Sequence, residues 1–229
     1  MWLVVGLFCE GPTDGRFLPT IIHRTLLAIL VEQSAFDVEL QEQIIPYAEK
    51  SNEERAQAIC RERASVDLFV VHADASRLQS ERVQDTIVGQ IQATASAACG
   101  VRPERIIPLL PIREMEAWVL ADPDAIARAL GYDAGWPERV ERGWQPERAE
   151  AEPDPKRTLD AAIRSLAGGR RGRRSPGAEA YFDRIADEVG LSCLGRLASY
   201  QRFRTDLQRG FTSLRRPPSL DPHGRRVGG

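Results

Sequence analysis

The stretch VDLFVVHAD, residues 66–74, decides how this chain is read. A short, continuous apolar run bounded by polar residues is the pattern of a strand covered on both faces. This one ends on a carboxylate, Asp74. The N-terminal WLVVGLF, residues 2–8, has the same character and runs into Cys9 and Glu10 before Gly11 and Pro12 break it. Side chains at the carboxyl ends of parallel strands face the crevice where such sheets bind ligands. If the two strands are neighbours, Glu10 and Asp74 meet there.

The segments between them supply the crossovers that parallel pairing needs. Residues 14–32 carry Phe17, Leu18, Ile21, Ile22, Thr25, Leu26, Ile29 and Leu30 at helical spacing. Residues 37–47 alternate weakly, as a strand. Ser51 followed by Glu54 is a capping-box start for a helix over 51–64. A long helix is predicted near 80–99, a strand at 105–112 and a helical turn at Glu114–Leu120. Asp122 then caps a helix that has Pro123 at its first position and ends at Gly131. The βαβαβ order predicts an α/β fold with an open, mainly parallel sheet flanked by helices. Residues 1–131 are read as this core. Residues 132–214 follow as a mainly helical extension, with helices at 157–167, 177–189 and 191–209 and a basic loop at 168–177. The Pro-, Gly- and Arg-rich residues 215–229 read as a disordered tail.

Composition narrows the function classes. Hydrophobic residues make up 42% of the 229 and charged residues 28%, the balance of a soluble globular protein. No apolar run reaches the ~20 residues that span a bilayer, so no membrane association is expected. Four scattered cysteines, with no CxxC pair and three histidines, argue against a zinc site or a disulfide framework and fit a reducing cytoplasm. Net charge is −2, but it is unevenly spread. Residues 154–229 hold 16 Lys and Arg against 8 Asp and Glu, whereas residues 1–153 hold 15 against 25. An acidic half suits metal-binding carboxylates and a basic half suits phosphate contacts.

Carboxylates at two strand ends are hard oxygen ligands of the kind that hold Mg²⁺ or Mn²⁺. At these residues the sequence resembles TOPRIM domains. CEGPTDGRFL (9–18) is similar to their EG-x-[TS]-[DE] start, and FVVHADAS (69–76) to their DxD strand end. REMEAWVLAD (113–122), DPKRTLDAAI (154–163) and LASYQRFRTDLQRGFTSL (197–214) resemble a bacterial TOPRIM-like family once of unknown function and encoded beside AAA or ABC-type ATPases. That family includes AriB, the effector nuclease of the PARIS anti-phage system. The resemblance covers nearly the whole chain. It implies a TOPRIM-like fold, Mg²⁺-dependent cutting of nucleic acid (tRNA among the substrates) and an ATPase partner. A homo-oligomer is open, and the alternative is a catalytically weak adaptor that docks on the ATPase.

The resemblance assigns residues as well. Glu10, Asp74 and Glu116 are the candidate metal ligands, with Glu10 as an alternative general base. Lys156, at the family's PK position, is the candidate cation for transition-state charge. The second Asp of DxD falls here on Ser76, a poor metal ligand, so either one metal position is weakened or another carboxylate, Glu114 or Glu116, compensates. Two residues apart on a helix, they do not share a face, and the E-A-W pattern favours Glu116.

Around them, Arg113 is read either as a phosphate contact or as a structural ion pair. Asp14 is a candidate metal ligand, a support behind the ligands, or a helix N-cap. His72 shares a strand face with Asp74 and is placed to orient it or shuttle a proton; a satisfied core histidine is the plainer reading. Trp118 is expected to pack the site's wall. Arg170, Arg171, Arg173 and Arg174 form a basic loop suited to nucleic-acid phosphates or an acidic partner, unless it is simply solvated.

Overall fold

A computed structural model describes residues 1–41, 44–74, 80–132, 145–167 and 177–215. Strand β1 (Trp2–Leu3) runs through Val4 into β2 (Val5–Phe8), and helix α1 (Asp14–Glu32) follows. The expected strand over 37–47 forms as two short pieces, β3 (Glu39–Leu40) and β4 (Ile45–Tyr47). Helix α2 (Asn52–Glu62) starts at Ser51 with the capping box in place: Ser51 Oγ accepts from Glu54 N, and Glu54 accepts from Ser51 N. Strand β5 (Leu68–His72) is buried at every residue.

The helix expected at 80–99 comes in three parts, α3 (Ser80–Val83), a π-helical stretch (Gln84–Gly89) and α4 (Gln90–Cys99). Strand β6 (Ile106–Leu109) leads to α5 (Glu116–Val119) and α6 (Pro123–Ala129), the latter capped by Asp122 as expected. Helices α7 (Pro155–Ala167), α8 (Phe182–Glu188), α9 (Leu191–Leu194) and α10 (Ala198–Arg215) follow. Arg215, assigned by sequence to the tail, closes α10; residues 216–229 lie outside the described residues.

The sheet order is β4-β2-β5-β6, and every pairing is parallel, as is β1 with β3. The register aligns Phe8 with Tyr47 and Val71, and His72 with Leu109. All four strands therefore end on one edge. An α/β fold with a parallel sheet between helical layers is what the apolar runs and their spacing require.

Strand alternation divides the core. Leu68 and Val70 face α1, α7, α8 and α10. Phe69 and Val71 face α2 and α4. The eight α1 residues with helical spacing are all buried. The C-terminal helices have no separate core, since Phe182, Tyr200, Phe203 and Phe211 join Phe17, Leu18 and Trp118 in one cluster. Helix α10 approaches β6 so closely that a Cβ on Gly210 would lie 2.5 Å from Ile107 Cδ1 and 2.7 Å from the Glu104 carbonyl. Coverage of the first strand is incomplete at its start, where Trp2 is exposed.

The cysteine expectation fails at one pair. Cys60 on α2 and Cys99 at the end of α4 form a disulfide, with their Cα atoms 5.7 Å apart. The two are 39 residues apart in sequence and become neighbours only because α2 and α4 pack side by side on the sheet. Cys9 and Cys193 remain thiols. No described helix is long and apolar enough to cross a membrane.

Candidate functional site

Because β2 and β5 are hydrogen-bonded neighbours that end level, the residues just past them meet at the sheet edge. Glu10 Oε2 lies 3.5 Å from the backbone N of Asp74. Both residues are exposed at this edge. The two residues adjoin at the sheet edge, with the Asp74 carboxylate facing His72.

Behind them sits His72, fully buried. It shares the strand face of Leu68 and Val70, the face covered by α1, and this brings it to the start of that helix. Its Nδ1 is 3.4 Å from Asp14 Oδ2 and its Nε2 is 3.4 Å from Asp74 Oδ1. These are ion-pair distances, longer than good hydrogen bonds, and neither nitrogen has a hydrogen-bond partner. Burial alone pulls an imidazole's pKa down, but the two carboxylates outweigh it and push His72 up to about 9. The ring is therefore an imidazolium at neutral pH, wedged between two anions.

Asp14 does not cap α1. The N-cap is Thr13, without a side-chain bond, and Asp14 is the first helical residue. Its Oδ2 instead accepts from Gly11 N at 2.8 Å and faces His72. Burial raises its pKa, yet His72, the Gly11 N–H and Lys50 together hold it below the ordinary carboxylate value. Cys9, next to this group, is pushed up to about 12 by burial and by Asp14. It stays a protonated thiol and is no nucleophile.

The segment after β6 forms the third side. Glu116, in the first turn of α5, is buried, and burial together with the charges of Glu114 and Asp74 pushes its pKa up to about 7, against the opposing pull of its own backbone N–H and Lys156. Glu114 is partly exposed and accepts from the backbone N of Lys156 at 3.3 Å. Of the pair, Glu116 is the one enclosed. Lys156 lies on the first turn of α7 and is exposed.

Arg113 follows β6 in the segment leading to α5. It has a left-handed backbone (φ 71°), donates from Nη1 to the Pro153 carbonyl at 3.3 Å and leaves Nε buried without a partner. It forms no ion pair among the described residues. Trp118 packs as expected, edge-on to Tyr200, with its indole N–H donating to Ser199 Oγ at 2.7 Å.

A residue given no role by sequence reasoning also stands here. Lys50 Nζ donates to the Glu10 carbonyl at 2.8 Å and lies 3.4 Å from the Cys9 carbonyl. The available signal was scarcity: Lys50 and Lys156 are the only lysines in the chain, and both border this crevice. Ser76 and the basic loop with Arg170, Arg171, Arg173 and Arg174 lie outside the described residues.

For a divalent metal the donor set is partial. Among the described residues no three His, Cys, Asp or Glu side chains are gathered to hold an ion. Glu10 and Asp74 nevertheless supply two exposed carboxylates along this sheet edge. That fits Mg²⁺, which keeps several waters and takes one or two protein carboxylates.

The family described as a domain of unknown function, DUF4276, matches residues 9–208, a span that takes in every residue of this crevice. No curated protein and no solved structure matches the chain.

Proposed function

This chain belongs to the DUF4276 family, and from that premise we propose that it is a Mg²⁺-dependent nuclease with a TOPRIM-like core. The observation that carries the reading is the meeting of Glu10 and Asp74 at the carboxyl edge of a parallel sheet, backed by His72 and flanked by lysines. Open α/β sheets bind ligands at that edge.

Glu10 and Asp74 are the residues that would hold the ion, with Glu116 the third candidate. Bound there, Mg²⁺ would supply Lewis acidity toward a phosphodiester. Alternatively, Glu10 accepts the proton of the attacking water instead of holding the ion. His72 fixes Asp74 from behind by charge, and Asp14 in turn fixes His72. Lys156 faces the charge that builds on the phosphoryl oxygens. The resemblance to the TOPRIM-like defence effectors adds the substrate class, tRNA or another host nucleic acid, and an AAA or ABC-type ATPase as partner.

A second reading keeps the fold and drops the chemistry: an adaptor that binds the ATPase without cutting. Ser76, in place of the second Asp of the DxD strand end, favours it. One experiment separates the two. The purified protein, alone and with the neighbouring ATPase, is incubated with RNA and DNA in Mg²⁺ or Mn²⁺. The nuclease reading expects cleavage that Glu10→Gln abolishes without loss of folding. ATPase binding with no cleavage of any nucleic acid supports the adaptor.

A further inference from the structure

We infer that Lys50 is a second phosphate-contacting cation, set across the carboxylate pair from Lys156, so that nucleic acid is gripped on both sides of the bond to be cut. The inference rests on the nuclease reading and deepens it.

Lys50 is held in place by its neighbours. It lies between the edge strand β4 and the capping box of α2. Arg55, itself buried, donates from Nε to the Glu49 carbonyl at 3.2 Å. The Glu49 carboxylate, the nearest anion in sequence, is taken by Arg61 at 3.0 Å. Lys50 thus forms no ion pair among the described residues, and its ammonium reaches carbonyls only. An ammonium has three donors. Two point to Glu10 and Cys9 carbonyls, and the third remains for an outside acceptor. A compact, strongly hydrated point charge of this kind is a common phosphate ligand.

The strand order fixes what lies opposite. Across β4-β2-β5-β6, Lys50 follows β4, Glu10 follows β2 and Asp74 follows β5. Beyond β6 come Glu114 and, bonded to it through its backbone N, Lys156. The edge therefore reads cation, carboxylate, carboxylate, cation. Neighbouring strands are ~4.8 Å apart; Lys50 leans from β4 onto the Glu10 carbonyl, and the two lysines approach the carboxylate pair from opposite flanks. A chain lying across the strand ends meets the carboxylates at an internal phosphodiester and the lysines at its neighbours.

The test is the salt dependence of binding. Wild type, Lys50→Met and Lys50→Arg are titrated with a short fluorescein-labelled single-stranded RNA, and with DNA of the same length, in Ca²⁺ at several salt concentrations. Losing one phosphate contact flattens the slope of log K against log salt by about 0.7 for a single strand. Lys50→Met is expected to show that flattening and Lys50→Arg to restore the slope. Lys50→Met binding with the wild-type slope, however weak, overturns the inference and leaves the nuclease reading standing. Failure of the wild type to bind or cut either nucleic acid overturns both. A second readout does not need the variant to fold. Lysine acylation of the wild type, read by peptide mass, should be suppressed at both Lys50 and Lys156 by the RNA. Protection of Lys156 alone would also overturn the inference.

Discussion

His72 buries its ring completely and still sets Nε2 only 3.4 Å from the exposed carboxylate of Asp74. With Asp14 at the same distance from Nδ1, a core imidazolium becomes the internal support of the crevice. A buried ion whose partner is removed is costly. His72→Gln leaves two carboxylates facing each other without the cation. A loss of about 3 kcal/mol in unfolding free energy is expected, read from urea denaturation of the metal-free protein near neutral pH. An unchanged midpoint would contradict the assigned pairing.

The same group sets a pH window for stability. His72 has its pKa raised from 6.5 to about 9 on folding, so its contribution is complete below pH 6.5 and drains away as pH rises through about 9. Asp14 is shifted the other way, below 3.8; its contribution is present above pH 3.8 and disappears as pH falls through its lowered folded value. From these two groups, denaturation midpoints in EDTA should fall as pH drops below 3.8 and again as it rises from 6.5 through about 9. In His72→Gln the alkaline fall should shrink to the part that Glu116, whose pKa is also raised, contributes as pH rises through about 7.

Glu116 acts in the opposite sense. Its pKa rises from 4.5 to about 7 on folding, so ionising it above that range works against the folded state. Glu116→Gln should therefore stabilise the metal-free protein at pH 8, by about 1–3 kcal/mol. If Glu116 completes the metal site, the same variant should lose Mg²⁺-dependent cleavage. Calorimetry in EDTA and a cleavage assay in Mg²⁺ measure the two effects separately. A variant neither more stable nor less active gives Glu116 no special place.

The Cys60–Cys99 link closes a chain segment with a sequence separation of 39 residues. Chain-entropy arguments give such a link about 3–4 kcal/mol. Thermal unfolding with and without a thiol reductant should differ accordingly, and the Cys60→Ser, Cys99→Ser double variant should match the reduced protein. Equal melting temperatures in both conditions would show that the link adds nothing.

Gly210→Ala pits two effects against each other. Alanine is favoured over glycine inside a helix by about 1 kcal/mol. Here, however, the added Cβ meets Ile107 Cδ1 at 2.5 Å and the Glu104 backbone carbonyl at 2.7 Å. Overpacking typically costs about 1–3 kcal/mol, and a backbone oxygen cannot rotate away as a side chain can. A net loss is expected, seen as a lower denaturation midpoint; a gain would mean that α10 can shift off β6 freely.

Much of this was legible in the residues. Apolar runs ending at Glu10 and Asp74 announced two buried parallel strands, and their level register does the rest. The stripe on α1 and the Ser51 capping box are local patterns that survive folding unchanged. Features created by packing were not legible. The neighbourhood of Cys60 and Cys99 exists only once α2 and α4 lie side by side. Asp14 looked like a cap because capping is a local property, whereas its actual partner, His72, comes from a strand 58 residues away. Lys50 was hidden for the same reason: its carbonyl acceptors belong to a neighbouring strand. The break between β3 and β4 had a faint trace in the weak alternation of 37–47, too little to divide one strand in two.

Arg113 holds a left-handed backbone that glycine adopts freely and a long side chain adopts at a cost of about 1 kcal/mol. A sequence optimised only to keep this shape would carry glycine at that turn. Replacing Arg113 with glycine would therefore relax the backbone while giving up the side chain's bond to the Pro153 carbonyl.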